Sequence, residues 1–337
     1  MSTRFGVDAG ADMLTPVPLD LNPAEVFMRR LIALGLLMAI SNPTAVFGQS
    51  CEPGSVSVQI LGSGGPRINP SRSSTSYLLW VGDKAKILVD MGGGALGRFG
   101  QAQARVSDLS LLAVTHLHPD HVSDLPAFLW LSHEIRNEPL RIVGPSGNDA
   151  APDFPTFLAR MFDEKNGAFP VLGATLGGKR RDIPSGPLSA GGGVRLDVAV
   201  IDVTKAEPST VLDSDGLTVT ALGIPHGNMP TLAYRVKVRD MSIVFSSDQT
   251  GTNPRFVDFA RGANILIMHL AVAGGVKNHP LHAGPGVVGR VAQEAGVGRL
   301  IVSHIGVFDL AAALAELKEN YTGPLTVGAD LQCTPVK

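Results

Sequence analysis

The stretch His116-Leu117-His118-Pro119-Asp120-His121 decides how this chain is interpreted. It holds four potential metal-ligating side chains in six positions and follows the apolar run 111–115, which is typical of a strand buried on both faces. Alternation along extended backbone sends His116 and His118 the same way, and the turn at Pro119 lets Asp120 and His121 point at a second nearby position. Imidazole and carboxylate are the usual ligands of zinc and similar divalent ions. The run therefore predicts a metal site, the alternative being a solvent-exposed polar turn.

Three further ligand-type residues follow predicted strands later in the chain. His226 comes after the strand 217–224, Asp248 after 242–247 and His304 after 300–303. Each residue taken alone is weak evidence for a metal site, because a single histidine after a strand is commonly a structural hydrogen-bonding group. Their joint occurrence at strand ends favours one shared site.

The rest of the chain predicts a single layered α/β domain with no repeat and no interdomain linker. Gly82-Asp83 is a hairpin signal between two strands, Asp309 is placed to cap the last helix, and Gly296 to end the one before it. The segment 148–213 is the least regular, with a surface loop over 173–193. Further predicted strands cover 56–61, 77–81, 86–89, 233–238 and 265–268, and predicted helices cover 125–135, 157–162, 287–295 and 310–317.

Composition indicates an ordinary globular protein. Of 337 residues, 44% are hydrophobic and 17% are charged, which excludes a disordered chain. The formal charge of -2 gives no electrostatic reason to expect nucleic acid as a partner. We therefore expect no nucleic-acid partner.

The first 50 residues resemble an export signal preceded by an extra segment. Met28-Arg29-Arg30 is a basic start, 31–40 is a short apolar core, and 41–50 ends in small and polar residues. The alternative is a buried helix. The core is shorter than the roughly 20 residues that span a bilayer, so no stable membrane insertion is expected. The predicted organisation is an over-long or disordered start over 1–27, a signal peptide over 28–50 and a hydrolase domain over 51–337, with a periplasmic or extracellular location.

The chain has two cysteines, Cys51 and Cys333, near opposite ends of the predicted mature domain. In an exported protein such a pair can form a disulfide. Two unpaired thiols and a lipid anchor on Cys51 remain as alternatives.

The H-x-H-x-D-H run is followed along the chain by His226, Asp248 and His304. This order of residues resembles the pattern of the metallo-β-lactamase superfamily, and within it the ribonuclease Z, arylsulfatase and phosphodiesterase branch. The resemblance implies an αββα four-layer sandwich in a single domain, with two divalent metal ions at one edge. Zinc is the expected metal, with manganese or iron as alternatives. The histidine run is highly specific for the superfamily, while the other matching segments are only moderately specific for the branch. Those segments are 62–66, 89–94, 144–147, 233–236 and 267–269.

Carried over position by position, the resemblance implies two adjacent metal sites. The first metal has three histidine ligands: His116, His118 and His226. The second has Asp120, His121 and His304, and Asp248 bridges the two. Asp90 would hydrogen-bond a ligand histidine, or else cap the turn before the glycines that follow it.

The chemistry implied is hydrolysis by a hydroxide that two metals generate from a shared water. A proton donor must then protonate the leaving group, and the resemblance places His282 in that role. Asp120 and His282 form the predicted catalytic pair. A helix-capping or exposed histidine is the alternative for His282, and His279 is a possible substitute.

Departures from ribonuclease Z favour a smaller substrate. Leu270 stands where the family has a Glu that partners the proton donor, and only 22 residues separate His226 from Asp248, which leaves no room for a long tRNA-gripping arm. An export signal would also separate the protein from tRNA. We expect a hydrolase of small phosphodiesters, possible as a homodimer. An arylsulfatase, a lactone or lactam hydrolase, and a metal-loaded binding protein of reduced activity are the alternatives.

Overall fold

The computed structural model describes residues 51–132, 138–177, 194–214 and 216–337, which belong to one compact unit. The predicted start segment, the predicted signal peptide and most of the loop predicted over 173–193 lie outside the described residues. The same holds for the end of the helix predicted over 125–135.

The first of two seven-stranded sheets has the order β14-β1-β2-β3-β4-β5-β6. Its strands β14, β1, β2 and β3 pair antiparallel, whereas β3, β4, β5 and β6 pair parallel. The strands are β1 Val56–Gly62, β2 Ser76–Val81, β3 Lys84–Val89, β4 Leu111–Ala113, β5 Leu140–Pro145, β6 Leu196–Ile201 and β14 Cys333–Pro335.

The second sheet has the order β13-β12-β11-β10-β9-β8-β7 and repeats the arrangement of the first. Its strands β13, β12, β11 and β10 pair parallel, and β10, β9, β8 and β7 pair antiparallel. The strands are β7 Ser209–Ser214, β8 Leu217–Ile224, β9 Thr231–Val238, β10 Met241–Phe245, β11 Ile265–His269, β12 Leu300–Ser303 and β13 Leu325–Val327.

Three apolar cores stack these sheets and the helices into four layers, which confirms the predicted αββα sandwich. One core, with Ile60 and Val236, lies between the sheets. A second, with Leu88 and Phe128, joins the first sheet to its helices, and a third, with Val244 and Val288, joins the second sheet to its own. Burying both faces of each sheet explains the continuous apolar runs in the sequence. The helices are α1 Ala95–Gln101, α2 Pro119–Val122, α3 Leu125–Leu131, α4 Phe154–Phe162, α5 Pro254–Ala260, α6 Pro285–Ala295 and α7 Leu310–Lys318.

The predicted helix ends have the expected caps. Gly296 ends α6 with φ at 60° and donates its backbone N–H to carbonyls of the last turn. The Asp309 carboxylate accepts the N–H groups of Ala311 and Ala312 at the start of α7. These contacts satisfy backbone groups that a helix end leaves without intrahelical partners.

Several elements were missed by sequence reasoning. The residues of the edge strands β6 and β7 are mostly half-buried or exposed, so neither the alternating nor the continuous apolar pattern of a strand marks them. The strands β13 and β14 are three residues each, and β14 exists through its pairing with distant β1. Helix α5 has seven residues, too few for a helical period to be visible.

The pairing of β14 with β1 brings the two cysteines together. Cys51 and Cys333 form a disulfide with their Cα atoms 5.4 Å apart. Of the three alternatives for this pair, the structure therefore has the disulfide. Within the described ranges, no helix is both long and apolar enough to cross a membrane.

Candidate metal centre

The predicted ligands converge where strands of both sheets end. The loop after β4 provides His116 and His118, the loop after β8 provides His226, and the segment after β10 provides Asp248. One donor atom of each lies within 4.8 Å of the others. The Nε2 atoms of His116 and His226 are 3.7 and 3.6 Å from Asp248 Oδ2, and His118 Nδ1 is 3.0 Å from His116 Nε2.

A second group lies beside the first and shares its carboxylate. Asp120, His121 and His304 also place donor atoms within 4.8 Å of one another. His304 Nε2 is 3.1 Å from Asp120 Oδ2 and 3.3 Å from Asp248 Oδ1, whereas His121 Nε2 is 3.6 Å from Asp248 Oδ2. Asp248 therefore faces both groups, and the structure brings all seven predicted ligand residues together.

Asp90 lies directly beneath this centre at the end of β3. Its Oδ2 atom is 2.7 Å from His121 Nδ1, and its two carboxylate oxygens accept the backbone N–H and the hydroxyl of Thr115. Two roles were considered for Asp90, a hydrogen bond to a ligand histidine and the capping of a turn. These contacts show the first, because Asp90 hydrogen-bonds the candidate ligand His121. Such a contact fixes the ring so that Nε2 faces the centre.

Strained backbone surrounds the centre. Asp90, Ser247 and His304 have φ values of 58°, 53° and 51°, in the left-handed region that non-glycine residues rarely occupy. A Cβ on Gly65 would lie 2.9 Å from Cε1 of the His304 ring, so only glycine allows the loop after β1 to pack on this histidine. Strain of this kind, at about 1–3 kcal/mol per residue, is typical of functional sites.

His269 is a member of the centre that sequence reasoning did not place there. Its Nδ1 atom is 2.6 Å from Asp248 Oδ1, and Tyr77 hydroxyl is 3.0 Å from its Nε2. The ring also stacks on His304 with centroids 4.5 Å apart. No local pattern marks this position, because it depends on the parallel pairing of β10, β11 and β12: Asp248 follows β10, His269 ends β11 and His304 follows β12.

His282 lies at the accessible side of the centre. Its Nδ1 atom is 3.9 Å from Asp248 Oδ1, and its side chain is 11% exposed, against 0% for His226 and His304. His279 shapes this loop because its Nδ1 accepts the backbone N–H groups of Leu281 and His282. The Leu281 carbonyl in turn contacts His226 Nδ1 at 2.8 Å. The loop thus orients one candidate ligand and presents His282.

Burial and mutual charge control the protonation of the cluster. Burial lowers the pKa of His116 well below its usual value. Burial also acts on His121, but the carboxylates of Asp90 and Asp248 outweigh it and raise its pKa. Burial opposes ionisation of Asp120, yet the hydrogen bond from His304 lowers its pKa to about 2. Ionised carboxylates and neutral imidazoles are the forms that bind metal, so the shifts at His116 and Asp120 favour binding, whereas at His121 a metal ion would have to displace a proton.

The donor set fits divalent metal ions. His121 Nε2 is buried, has no hydrogen-bond partner among the described residues, and faces two carboxylates. A buried polar atom without a partner is costly, and a metal ion would satisfy it. Imidazole nitrogens with carboxylate oxygens are the donors that zinc prefers.

Comparison with known proteins agrees with this geometry. Residues 70–130 match the family model of the metallo-beta-lactamase superfamily. Human tRNase Z, short form, has 18% sequence identity and a TM-score of 0.63, covering 83% of this chain and 99% of that one. A diphosphatase of the PhnP family has 15% identity and a TM-score of 0.57, covering 84% and 98%. The chain has the metallo-β-lactamase fold.

Within that class, the sequence is similar to ribonuclease Z. The ribonuclease Z of Mycolicibacterium paratuberculosis is 28% identical over 263 residues, which cover 74% of this chain and 85% of that protein. The predicted resemblance to the ribonuclease Z and phosphodiesterase branch is therefore confirmed.

The expectation of no nucleic-acid partner was wrong, because relatives of this chain are ribonucleases and the structure of a tRNase matches its fold. The expectation rested on the net charge of the whole chain. Net charge sums over the surface and does not report the local potential beside a catalytic centre.

Proposed function

We propose that this protein is a dinuclear metal-dependent phosphodiesterase. The observation that supports it most is the position of Asp248, whose two oxygens face two separate groups of ligand-type side chains. Two metal ions bridged by one carboxylate are typical of enzymes that hydrolyse phosphate esters.

We assign the first ion to three histidines, His116, His118 and His226, and the second to Asp120, His121 and His304. Zinc fits best, because the set combines six nitrogen and oxygen donors of intermediate hardness with a shared carboxylate. When bound, such ions lower the pKa of water to supply hydroxide and stabilise charge on phosphoryl oxygens.

The protein's own residues provide orientation and proton transfer. Asp90 holds the ring of His121, and the pair of Tyr77 and His269 holds the carboxylate of Asp248. Asp120, with a side chain that is 13% exposed, lies on the accessible side with His282. A substrate that enters there meets both residues of the predicted catalytic pair.

His282 is the proposed proton donor to the leaving oxygen. Burial lowers its pKa to about 4, while the charge of Asp248 acts in the opposite direction. A bound phosphodiester anion also raises the pKa of a neighbouring imidazole. Protonation of His282 is therefore linked to the arrival of an anionic substrate, which suits a group that acts only once the ester is in place.

The short segment between two of the candidate ligands favours a small phosphodiester as substrate. The 21 residues between His226 and Asp248 are largely taken up by β9 and β10, so this segment has no inserted domain. Small diesters fit an open centre, and longer phosphodiester chains can extend beyond it.

The test is a substrate panel on zinc-loaded protein from residue 49 onward. We expect hydrolysis of bis(p-nitrophenyl) phosphate and close to two zinc ions per chain by elemental analysis. Aryl sulfate, lactone and β-lactam substrates serve as comparisons. Turnover of one of these without any phosphodiester hydrolysis would contradict the proposal, and two bound metals with no turnover at all would favour a binding protein.

We also propose that the protein is exported. The disulfide between Cys51 and Cys333 supports this, because such bonds persist in oxidising compartments. Intact-mass measurement on protein from a fractionated host tests it. We expect a mature chain that begins close to Cys51, and recovery of the entire chain from the cytoplasm alone would argue against export.

A further inference from the structure

A third group of ligand-type side chains overlaps the second candidate metal site. Asp248, His282 and His304 each place one donor atom within 4.8 Å of the others. Asp248 and His304 are already candidate ligands, so the member that this group adds is His282. The overlap puts the ring of His282 within reach of a metal ion held by its two neighbours, and not only of a bound substrate.

Nδ1 of His282 faces the carboxylate of Asp248 and has no other partner. It lies 3.9 Å from Asp248 Oδ1, and among the described residues this is the only carboxylate within ion-pair distance of the ring. The same nitrogen is buried and makes no hydrogen bond within the part of the chain that the structure describes. A buried nitrogen without a partner is costly, and a metal ion would satisfy it.

The two oxygens of Asp248 show which ion is near His282. Oδ1 lies 3.3 Å from His304 Nε2 and 3.9 Å from His282 Nδ1, whereas Oδ2 lies 3.6 Å from His226 Nε2. His282 is therefore on the side of the second ion. Zinc bonds of about 2.1 Å place two ligands of one ion about 3 Å apart at a right angle and about 4.2 Å apart when they are opposite. Both distances from Oδ1 fall within this range.

The loop that carries His282 is held by its own backbone contacts. Nδ1 of His279 accepts the N–H of His282, and the N–H of Ala283 donates to the carbonyl of Gln249 at 2.7 Å. The side chain of His282 is 11% exposed, at the accessible side of the centre. Its ring can therefore turn away from the centre by side-chain rotation while the backbone of the loop stays in place.

A ligand that can leave suits a site that must also bind substrate. Catalytic zinc sites keep one position for water or substrate, whereas structural sites are closed by protein ligands. The second ion already has four candidate ligands, which are Asp120, His121, His304 and Asp248. His282 would occupy a further position on the accessible side, and an incoming phosphoryl oxygen would have to take that position from it.

We propose that His282 Nδ1 is an eighth metal ligand, which holds the second ion in the resting protein and gives up its position when an oxygen of the phosphodiester binds there. The proposal rests on the proposed phosphodiesterase function and adds a form of regulation to the same site. The displaced ring remains beside the ester, where the proposed proton donor is needed. Ligation and proton donation are then successive roles of one side chain.

Competition between His282 and an anion has a reciprocal signature. If the ring is bound to the ion about 90% of the time, its removal should weaken zinc binding at one site by about tenfold. It should also strengthen the binding of an anion to that ion by the same factor, because the anion no longer displaces an internal ligand. A residue that only donates a proton or positions the substrate would not give this gain.

The experiment compares His282→Ala with wild-type protein in two equilibrium measurements. Titration against a competing chelator gives the zinc affinity, and calorimetry gives the affinity of the zinc-loaded protein for inorganic phosphate. We expect one zinc to bind about tenfold more weakly, with two ions still bound at saturation, and phosphate to bind about tenfold more tightly. An affinity for phosphate that is equal or lower in the variant would overturn the proposal.

Two further variants exclude an effect of packing or of the loop. His282→Gln keeps the length of the side chain but lacks the imidazole, so it should behave like His282→Ala. Recovery of wild-type affinities in this variant would show a packing role and overturn the proposal. Val276 is exposed in the same loop, and Val276→Ala should leave both affinities unchanged. The same reciprocal change in Val276→Ala would assign the effect to the loop and not to the ligand.

These binding measurements separate failure of this proposal from failure of the proposed function. Reciprocal changes in a protein that hydrolyses no diester would support His282 as a ligand and count against the phosphodiesterase. Hydrolysis of diesters with unchanged zinc affinity in His282→Ala would keep the function and overturn the ligand. Weaker zinc binding without tighter phosphate binding would also overturn the proposal, because His282 would then not compete with the substrate.

Discussion

The two sheets contribute to the metal centre in opposite ways. The first sheet delivers four of the seven candidate ligands from one segment, residues 116–121, which follows β4 and runs into α2. The second sheet delivers three, His226, Asp248 and His304, from the ends of three different strands. A local cluster is visible in the sequence, whereas a distributed set becomes a cluster only through the pairing of strands.

Each sheet also supplies one buried support beneath its ligands. In the first sheet Asp90 contacts His121, and in the second His269 contacts Asp248. The supports differ in charge, because one is a carboxylate under a histidine and the other a histidine under a carboxylate. The comparison predicts that substitutions in segment 116–121 and substitutions among the three ligands of the second sheet change metal content and activity in different ways.

The largest effect is expected from Asp248→Ala. Because this carboxylate faces both ligand groups, its loss should remove most of both metals and all measurable hydrolysis, whereas Asp120→Ala should mainly affect one metal. Elemental analysis of the purified variants measures the number of metal ions bound per chain. The substitution Glu319→Ala, at an exposed residue, is a control that should keep two metal ions. Full metal content in Asp248→Ala would rule out the bridging assignment.

The next effect concerns His282, which lies on a loop rather than at a strand end. His282→Ala should keep its metals but lose about 10²–10⁴-fold in rate on an alkyl phosphodiester, because a general acid matters most for a poor leaving group. The loss on a nitrophenyl diester should be much smaller. Equal slowing of both esters would mean that His282 is not the acid.

The two supports should have smaller and distinguishable effects. Asp90→Asn and His269→Gln should each weaken zinc binding by about 10–100-fold, as expected for partners that orient ligands. The Asp90 variant should weaken the metal held by His121, while the His269 variant should weaken both through Asp248. Zinc titration against a competing chelator separates one weakened site from two. Unchanged affinities would mean that the fold alone orients the ligands.

The smallest effect on activity is expected at the edge of the first sheet. Cys51→Ser/Cys333→Ser should lower the free energy of unfolding by about 2–4 kcal/mol, since the disulfide restricts the unfolded chain. Metal content and kcat should not change, because the bond lies at the β1–β14 edge. Urea unfolding followed by circular dichroism measures the stability, and reductant should reproduce the effect only in wild type.

Much of the fold and the centre could be predicted from local sequence. The apolar strands, the caps at Gly296 and Asp309, and the histidine run all depend on residues close in the chain. The role of His269 could not be inferred, because it depends on β11 lying between β10 and β12. The Leu270 that stands in place of the family's Glu says nothing about the role of the neighbouring His269, because Leu270 is buried in the core.

The disulfide has a topological consequence. The oxidised protein is a covalent ring from Cys51 to Cys333, with a sequence separation of 282. The turn between β2 and β3, at Gly82 and the exposed Asp83, is a site where a protease could cut, because exposed hairpin tips are preferred sites of nicking. A single cut there opens the ring without releasing a fragment. Nicked protein would therefore migrate as one molecule under non-reducing electrophoresis and separate into two pieces once thiol is added.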